Sequence, residues 1–210
     1  MAVLLVRHAE DRAAAEGRFG DEGLTPRGVE QARAQGRALS QTEISLCLCS
    51  PLRRAVETAR ILLADRAIPL RPEPSLAEGA LGKLDGLTAS EAREKFPELF
   101  QRSSSVVGRI AVSGRTAPGG ETRAEFLRRA NAARGIVLEH LKSEPNVLIV
   151  SHGGLLNYLL QLLLALEPRD RVPFGFDHCG GVRLLTWKES PERSALPMLR
   201  FGPLVERLKP

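Results

Sequence analysis

The sequence predicts an α/β protein, a three-layer α/β/α sandwich around a mostly parallel central sheet. Three observations carry that prediction. Residues 3–6 and the apolar run within 146–151 are short and hydrophobic without alternation, the pattern of strands buried on both faces of a parallel sheet. Each run ends in a histidine, His8 and His152. Between them, strand-like and helix-like segments alternate almost throughout, which places helices on both faces and the functional residues at the carboxyl ends of the strands.

Taken in order, the first strand covers 3–6 and leads into an Ala- and charge-rich loop. Thr25-Pro26 offers an N-cap and an N1 proline for a helix running to about Leu39. Residues 44–49 form a second strand. Leu52 to Leu63 is helical in spacing, with Ala55, Ala59 and Leu62 on one stripe, and 68–71 make a short further strand. Thr88-x-x-Glu91 and Thr122-x-x-Glu125 are capping boxes that start helices before Phe96 and before the long segment ending near Leu141. A Leu-rich helix follows His152-Gly153-Gly154, and 182–187 with 196–201 close the sheet. One domain over residues 1–210 is expected, with a lid or insertion at about 76–120 whose most loop-like part, 101–120, is rich in Ser, Gly and Arg.

Composition narrows the function. With 43% hydrophobic and 26% charged residues, the chain is an ordinary globular protein. Its net charge of +5 would suit anionic partners. Only five of its 30 basic residues are lysines, and the arginines are scattered among acids on helix faces. Seven Phe, one Tyr and one Trp form no stacking platform, so no nucleic-acid partner is expected. The apolar run Leu155 to Leu166 is interrupted by Asn157 and Gln161 and is too short to span a bilayer; the amino terminus lacks a basic leader, so neither membrane nor export is expected. Cys47, Cys49 and Cys179 are odd in number, lack metal-ligand spacing and read as buried core thiols of a reduced, cytoplasmic protein.

Two strands ending in histidine at one edge, with Arg7 before the first and Gly153-Gly154 after the second, make a site. At these residues the sequence resembles the histidine phosphatase superfamily, the phosphoglycerate mutase-like family, along most of its length. Arg7-His8-Ala9-Glu10 is similar to the signature motif, followed by Glu16-Gly17-Arg18-Phe19 and Leu24-Thr25-x-x-Gly28. Ser50-Pro51-Leu52-Arg53-Arg54-Ala55-x-x-Thr58-Ala59 resembles the second motif, which favours Arg54 over Arg53. Leu76-x-Glu78 with Gly82-x-Leu84-Asp85-Gly86 resembles the acid-bearing motif, and Pro118-Gly119-Gly120-Glu121-Thr122 and Ser151-His152-Gly153-Gly154 the remaining two. The resemblance implies a phosphoglycerate mutase-like fold and phosphoryl transfer through a phosphohistidine.

Elementary chemistry assigns the roles. A phosphoryl group in flight spreads charge over three oxygens, so fixed donors must converge on it. Arg7, Arg54 and His152 supply them, arginine through its planar fork. His8 is the nucleophile, held at a strand end by backbone hydrogen bonds. His152 is expected to stay charged or to donate a hydrogen bond. Expelling an alkoxide needs an acid that protonates the leaving oxygen and then activates water, and Glu78 is the choice for that role. Glu121 is the runner-up acid and, with Arg18 and Gly153, a further substrate contact. Ala14 stands where the family often has an asparagine on the phosphate; either Arg18 compensates or turnover is slower, by about tenfold. Lys83, Arg102, Arg109 and Arg115 are candidates for reading a second anionic group.

These residues predict a phosphomonoesterase that needs neither metal nor cofactor and acts on a small phosphorylated metabolite. The interval between Glu78 and Glu121 is short, without the longer basic insertion of mutases. The alternatives are a phosphoglycerate mutase-type phosphotransferase and a catalytically silent phosphometabolite- or protein-binding module. Oligomeric state, a homodimer included, is left open.

Overall fold

The computed structural model describes residues 1–64, 66–100, 117–168, 174–185 and 198–199. Six strands form one sheet: β1 (Ala2–Arg7), β2 (Leu46–Cys49), β3 (Leu70–Pro72), β4 (Asn146–Ser151), β5 (Gly181–Leu185) and β6 (Met198–Leu199), in the order β3-β2-β4-β1-β5-β6. The pairs β3/β2, β2/β4 and β4/β1 are parallel, whereas β5 runs antiparallel to β1 and β6 to β5. The mostly parallel sheet read from the sequence is therefore present, with antiparallel strands at one edge.

Side-chain alternation along the strands builds two cores. Val3, Leu5, Leu46, Leu48, Val147 and Ile149 point to one face, where they pack against α5 (Arg123–Ser143) and α6 (Gly153–Leu163). Ala2, Leu4, Val6, Cys47, Cys49, Leu148 and Val150 point to the other, against α3 (Arg53–Leu63). Apolar residues on both faces explain the unbroken hydrophobic runs. All three cysteines are buried and free, as expected of core thiols.

Local signals end the helices where the sequence implied. The Thr25 side chain accepts from the Gly28 amide at the start of α2 (Pro26–Ala38). Both capping boxes form, Thr88/Glu91 on α4 (Ala89–Lys95) and Thr122/Glu125 on α5, and each cap contributes about 1 kcal/mol. One element was not anticipated: within the expected loop after β1, Asp11 caps a single helical turn, α1 (Arg12–Ala15), by accepting from Ala14. The turn escapes periodicity analysis because four residues are too few to show a period.

The expected insertion is described in part. Phe19, Leu84, Ala92 and Ala117 form a small separate core that ties residues 84–100 to the loop after β1. Residues 101–116, with Arg102, Arg109 and Arg115, lie outside the described residues, as does most of the 196–201 segment. Lys83 is exposed, with its backbone amide bonded to Pro118.

Candidate active site

Register brings the two histidines together. β1 and β4 are adjacent and parallel with Arg7 opposite Ser151, so the next residue of each strand, His8 and His152, leaves the sheet at the same carboxyl edge. Their ring centroids lie 4.9 Å apart, close to the spacing of neighbouring strands. This is also where the chain reverses its direction of travel across the sheet, the crevice in which open α/β sheets bind ligands.

The tautomer of His8 follows from its partners. Nδ1 lies 2.7 Å from the Ala9 carbonyl, which can only accept, so Nδ1 carries the proton. Nε2 is then a lone pair, and Arg54 donates its Nε–H to it at 3.3 Å. Burial, and next the positive charges of Arg54 and Arg7, push the His8 pKa well below its ordinary value despite the Ala9 hydrogen bond. The ring is neutral and oriented, with the lone pair of Nε2 directed toward Arg54. Arg54 is buried and also donates to the Gly20 carbonyl and Asp21, whereas Arg53 is exposed beside Glu57. The choice of Arg54 over Arg53 thus agrees with the geometry.

Arg7 is aimed from its outer edge. One terminal nitrogen donates to the Phe176 carbonyl at 2.8 Å and the other to His178 Nε2 at 2.8 Å, while its buried Nε–H has no partner among the described residues. Gly153 lies against this side chain: a Cβ there would sit 3.8 Å from the Arg7 Nε. His178 was not anticipated, although its ring centroid is 5.5 Å from that of His8. Since arginine cannot accept, His178 Nε2 must be unprotonated. Burial and then Arg7 lower its pKa to about 4, against the opposing carboxylates of Asp11, Glu10 and Asp177. The residue escaped notice because it precedes a strand; β5 is antiparallel, so its amino end shares the edge reached by the carboxyl ends of β1 and β4.

His152 departs from expectation in its charge. It is fully buried, and burial, followed by repulsion from His8, Arg54, Arg7 and Arg129, drives its pKa well below the ordinary value. The ring is neutral in the empty site. Its Nε2 lies 2.7 Å from Ser50 Oγ, and its buried Nδ1 has no partner among the described residues.

Glu78 reaches the same edge from the loop after β3. Its two carboxylate oxygens accept from the Gly79 and Gly154 amides, both at 3.0 Å. A second residue missed in the sequence, Arg129 of α5, holds that loop by donating to the carbonyls of Ser75, Ala77 and Glu78. The fork of Arg129 also grips Glu121 through both carboxylate oxygens. Glu121 is thus tied through Arg129 to the loop that carries Glu78. Arg18 differs from expectation as well: half-exposed, it serves Glu16, Glu91 and the Gly86 carbonyl. Ala14 offers only a backbone amide as donor, and it is given to Asp11.

His8, Asp11 and His178 bring ligand-type atoms within 4.8 Å of one another. Their ring nitrogens are committed, however, to Ala9, Arg54 and Arg7, and two guanidinium groups adjoin the cluster. This donor set fits an anion better than a cation.

Two outcomes are expected from this geometry. Gly154→Ala would place its Cβ 2.6 Å from a Glu78 oxygen, at the movable end of a flexible side chain. The fold should survive, because alanine favours the helix, while kcat falls by about tenfold to a hundredfold through displacement of the acid. Thermal melts and steady-state kinetics on the same preparation would check both parts. The second concerns pH. His8 and His152 protonate far more readily in the unfolded chain, so stability is fully present above about pH 6.5 and is lost below it, by about 1.4 kcal/mol per pH unit for each buried ring. Melts in phosphate-free buffer between pH 7.5 and 5 should show a falling Tm; a flat profile would show that the rings take up protons equally in the folded and unfolded chain, so that burial does not hold them neutral.

Fold and site together define a phosphoglycerate mutase-like α/β protein with two histidines and two arginines gathered at the carboxyl edge of its parallel strands. The chain belongs to the histidine phosphatase superfamily (branch 1), whose family model matches residues 3–196. It is 34% identical over 200 residues to an acid phosphatase of Mycobacterium tuberculosis, covering 87% of this chain and 89% of the relative. It is also 30% identical over 187 residues to a 2,3-bisphosphoglycerate-dependent phosphoglycerate mutase of Gloeobacter violaceus, covering 85% and 83%. Among solved structures, the alpha-ribazole phosphatase from Shigella flexneri superposes over all of both chains with a TM-score of 0.79 at 25% identity. Members of the superfamily are thus phosphatases and phosphoglycerate mutases. Among the described residues no helix is long and apolar enough to cross a membrane.

Proposed function

We propose that this protein is a metal-independent phosphomonoesterase that hydrolyses a small anionic phosphate ester through a phosphohistidine on His8. The observation that carries the reading is the pairing of an oriented lone pair with unspent donors. His8 Nε2 is free of its proton, and the buried Arg7 Nε and His152 Nδ1 beside it have no hydrogen-bond partner among the described residues. Unpaired buried polar atoms are costly and call for a ligand; here a phosphoryl group would supply the missing acceptors.

The chain's own residues balance the two steps. His8 Nε2 forms a bond to phosphorus as the ester P–O bond breaks, and Glu78 gives its proton to the departing oxygen. Arg54 and Arg7 offset the charge on the phosphoryl oxygens, and the Ala9 carbonyl supports the positive charge that develops on the His8 ring. Water then attacks phosphorus, the Glu78 carboxylate takes its proton, and the P–N bond breaks to restore neutral His8. The arginines supply positive charge without a metal ion or cofactor. The buried free thiols fit action in the reducing cytoplasm on a soluble metabolite.

The test is phosphate release from aryl phosphate, sugar phosphates and phosphoglycerates in the presence of a chelator, comparing wild type with His8→Ala. Release by wild type alone is expected. Activity that vanishes with chelator and returns with a divalent ion would overturn the metal-free scheme. Silence from wild type would favour the mutase or the binding-module reading, which transfer between phosphoglycerates would separate.

A further inference from the structure

We infer that Ser50 is a positioning residue that sets the tautomer of His152, placing the imidazole proton on Nδ1 so that His152 enters phosphoryl transfer as a neutral hydrogen-bond donor. The inference deepens the phosphatase reading and rests on it for the identity of the ligand. The proton assignment stands on hydrogen-bond accounting for a ring that complete burial beside His8 and two arginines keeps neutral.

Ser50 sits at the end of β2 and is completely buried. Its Oγ accepts the Leu52 amide at 3.2 Å and lies 2.7 Å from His152 Nε2. A hydroxyl carries one proton and can accept twice. Two arrangements of the Ser50–His152 pair are open. In the first, Ser50 donates to Nε2, the imidazole proton resides on Nδ1, and the only unspent group is a single N–H donor. In the second, Nε2–H donates to Ser50; the serine proton then has no acceptor among its contacts, and Nδ1 presents a bare lone pair. The second leaves two buried polar groups unsatisfied instead of one.

Function separates the arrangements in the same direction. The His152 ring lies 4.9 Å from the nucleophile. An Nδ1–H would meet a phosphoryl oxygen as a donor, whereas an Nδ1 lone pair would repel it. The serine thus does for the second histidine what the Ala9 carbonyl does for the first. Ala9 is an acceptor and forces the proton onto His8 Nδ1, leaving Nε2 to attack. Ser50 is a donor to Nε2 and forces the proton onto His152 Nδ1, leaving it to bind. Two histidines in contact are given opposite tasks by two partners of opposite hydrogen-bonding sense.

The experiment is long-range proton–nitrogen NMR of histidine-labelled protein in phosphate-free buffer near pH 7.5, which reads the protonated nitrogen of each ring directly. Wild type should show His152 protonated on Nδ1; protonation on Nε2 would overturn the inference with no variant needed. In Ser50→Ala, the His152 signals should move toward the Nε2-protonated form while those of His8 keep their pattern. Inhibition by orthovanadate, a mimic of the phosphoryl group in flight, should weaken about tenfold to a hundredfold in that variant, and Ser50→Thr should recover it by restoring the hydroxyl. Unchanged vanadate inhibition in a folded Ser50→Ala would also overturn it. The tautomer is read without turnover, so its failure is distinguishable from failure of the phosphatase reading. A wild type with the expected tautomer but no phosphate release would refute only that reading.

Discussion

His8→Ala is expected to abolish turnover, lowering kcat by about 10⁴-fold or more, and to remove the acid-labile phosphoenzyme seen when wild type is quenched during turnover. The size of the effect follows from the geometry. Of the three histidines at this edge, His8 has the longest and so most easily displaced contact at its Nε2, 3.3 Å from Arg54 Nε, whereas His178 Nε2 lies 2.8 Å from Arg7 and His152 Nε2 lies 2.7 Å from Ser50. Removing His8 also removes one of the buried rings that make folding sensitive to acid, so the fall of Tm between pH 6.5 and 5 should become shallower. That second readout shows that the variant is folded while inactive. Substantial remaining turnover with a phosphoenzyme still present would move the nucleophile to another residue.

Glu78→Gln should produce the next largest effect, and one that depends on the leaving group. Hydrolysis of sugar or glycerate phosphates, whose alkoxides need a proton to depart, should fall by about 10²- to 10⁴-fold. An aryl phosphate, whose phenolate leaves unaided, should lose far less in the first step. The substitution keeps the length of the side chain but turns one oxygen into a donor, and both oxygens now accept backbone amides, from Gly79 and Gly154. One of those contacts becomes donor against donor, so some loss of positioning is expected on every substrate. The diagnostic quantity is the ratio between alkyl and aryl substrates. Equal losses on both would assign the proton transfer to a different acid. Glu121 would be a poor replacement, since Arg129 holds both its oxygens.

How much of this site is legible in the sequence depends on how far each residue acts from its own element. His8, His152, Arg7 and Glu78 follow strands or stand in a short motif, and Arg54 opens a helix directly after β2. Their neighbours along the chain reveal them. Arg18 and Glu121 stood in equally good motifs, yet each is claimed by a partner that sequence adjacency does not disclose: Gly86 and Glu91 for the first, Arg129 for the second. Which of the two states expected of His152, a cation or a hydrogen-bond donor, is favoured depends on its surroundings for a related reason. The need for a donor was correct, but a neutral ring with its proton on the right nitrogen donates as well as a cation, and complete burial beside two arginines disfavours the cation.

By itself, then, the sequence determined what is local. Unbroken apolar runs specified doubly covered strands, capping boxes specified helix starts, and ordered motifs specified the family and five residues that meet at one edge. Tertiary structure alone decided what depends on strand order and side-chain competition. An antiparallel β5 brings His178 to the edge where β1 and β4 end, because reversing a strand exchanges its ends. Packing of α5 beside the loop after β3 lets Arg129 take three carbonyls and the Glu121 carboxylate at once. Each arginine and histidine has a few donors or acceptors in fixed directions, and only the assembled neighbourhood determines which of them remain for a substrate.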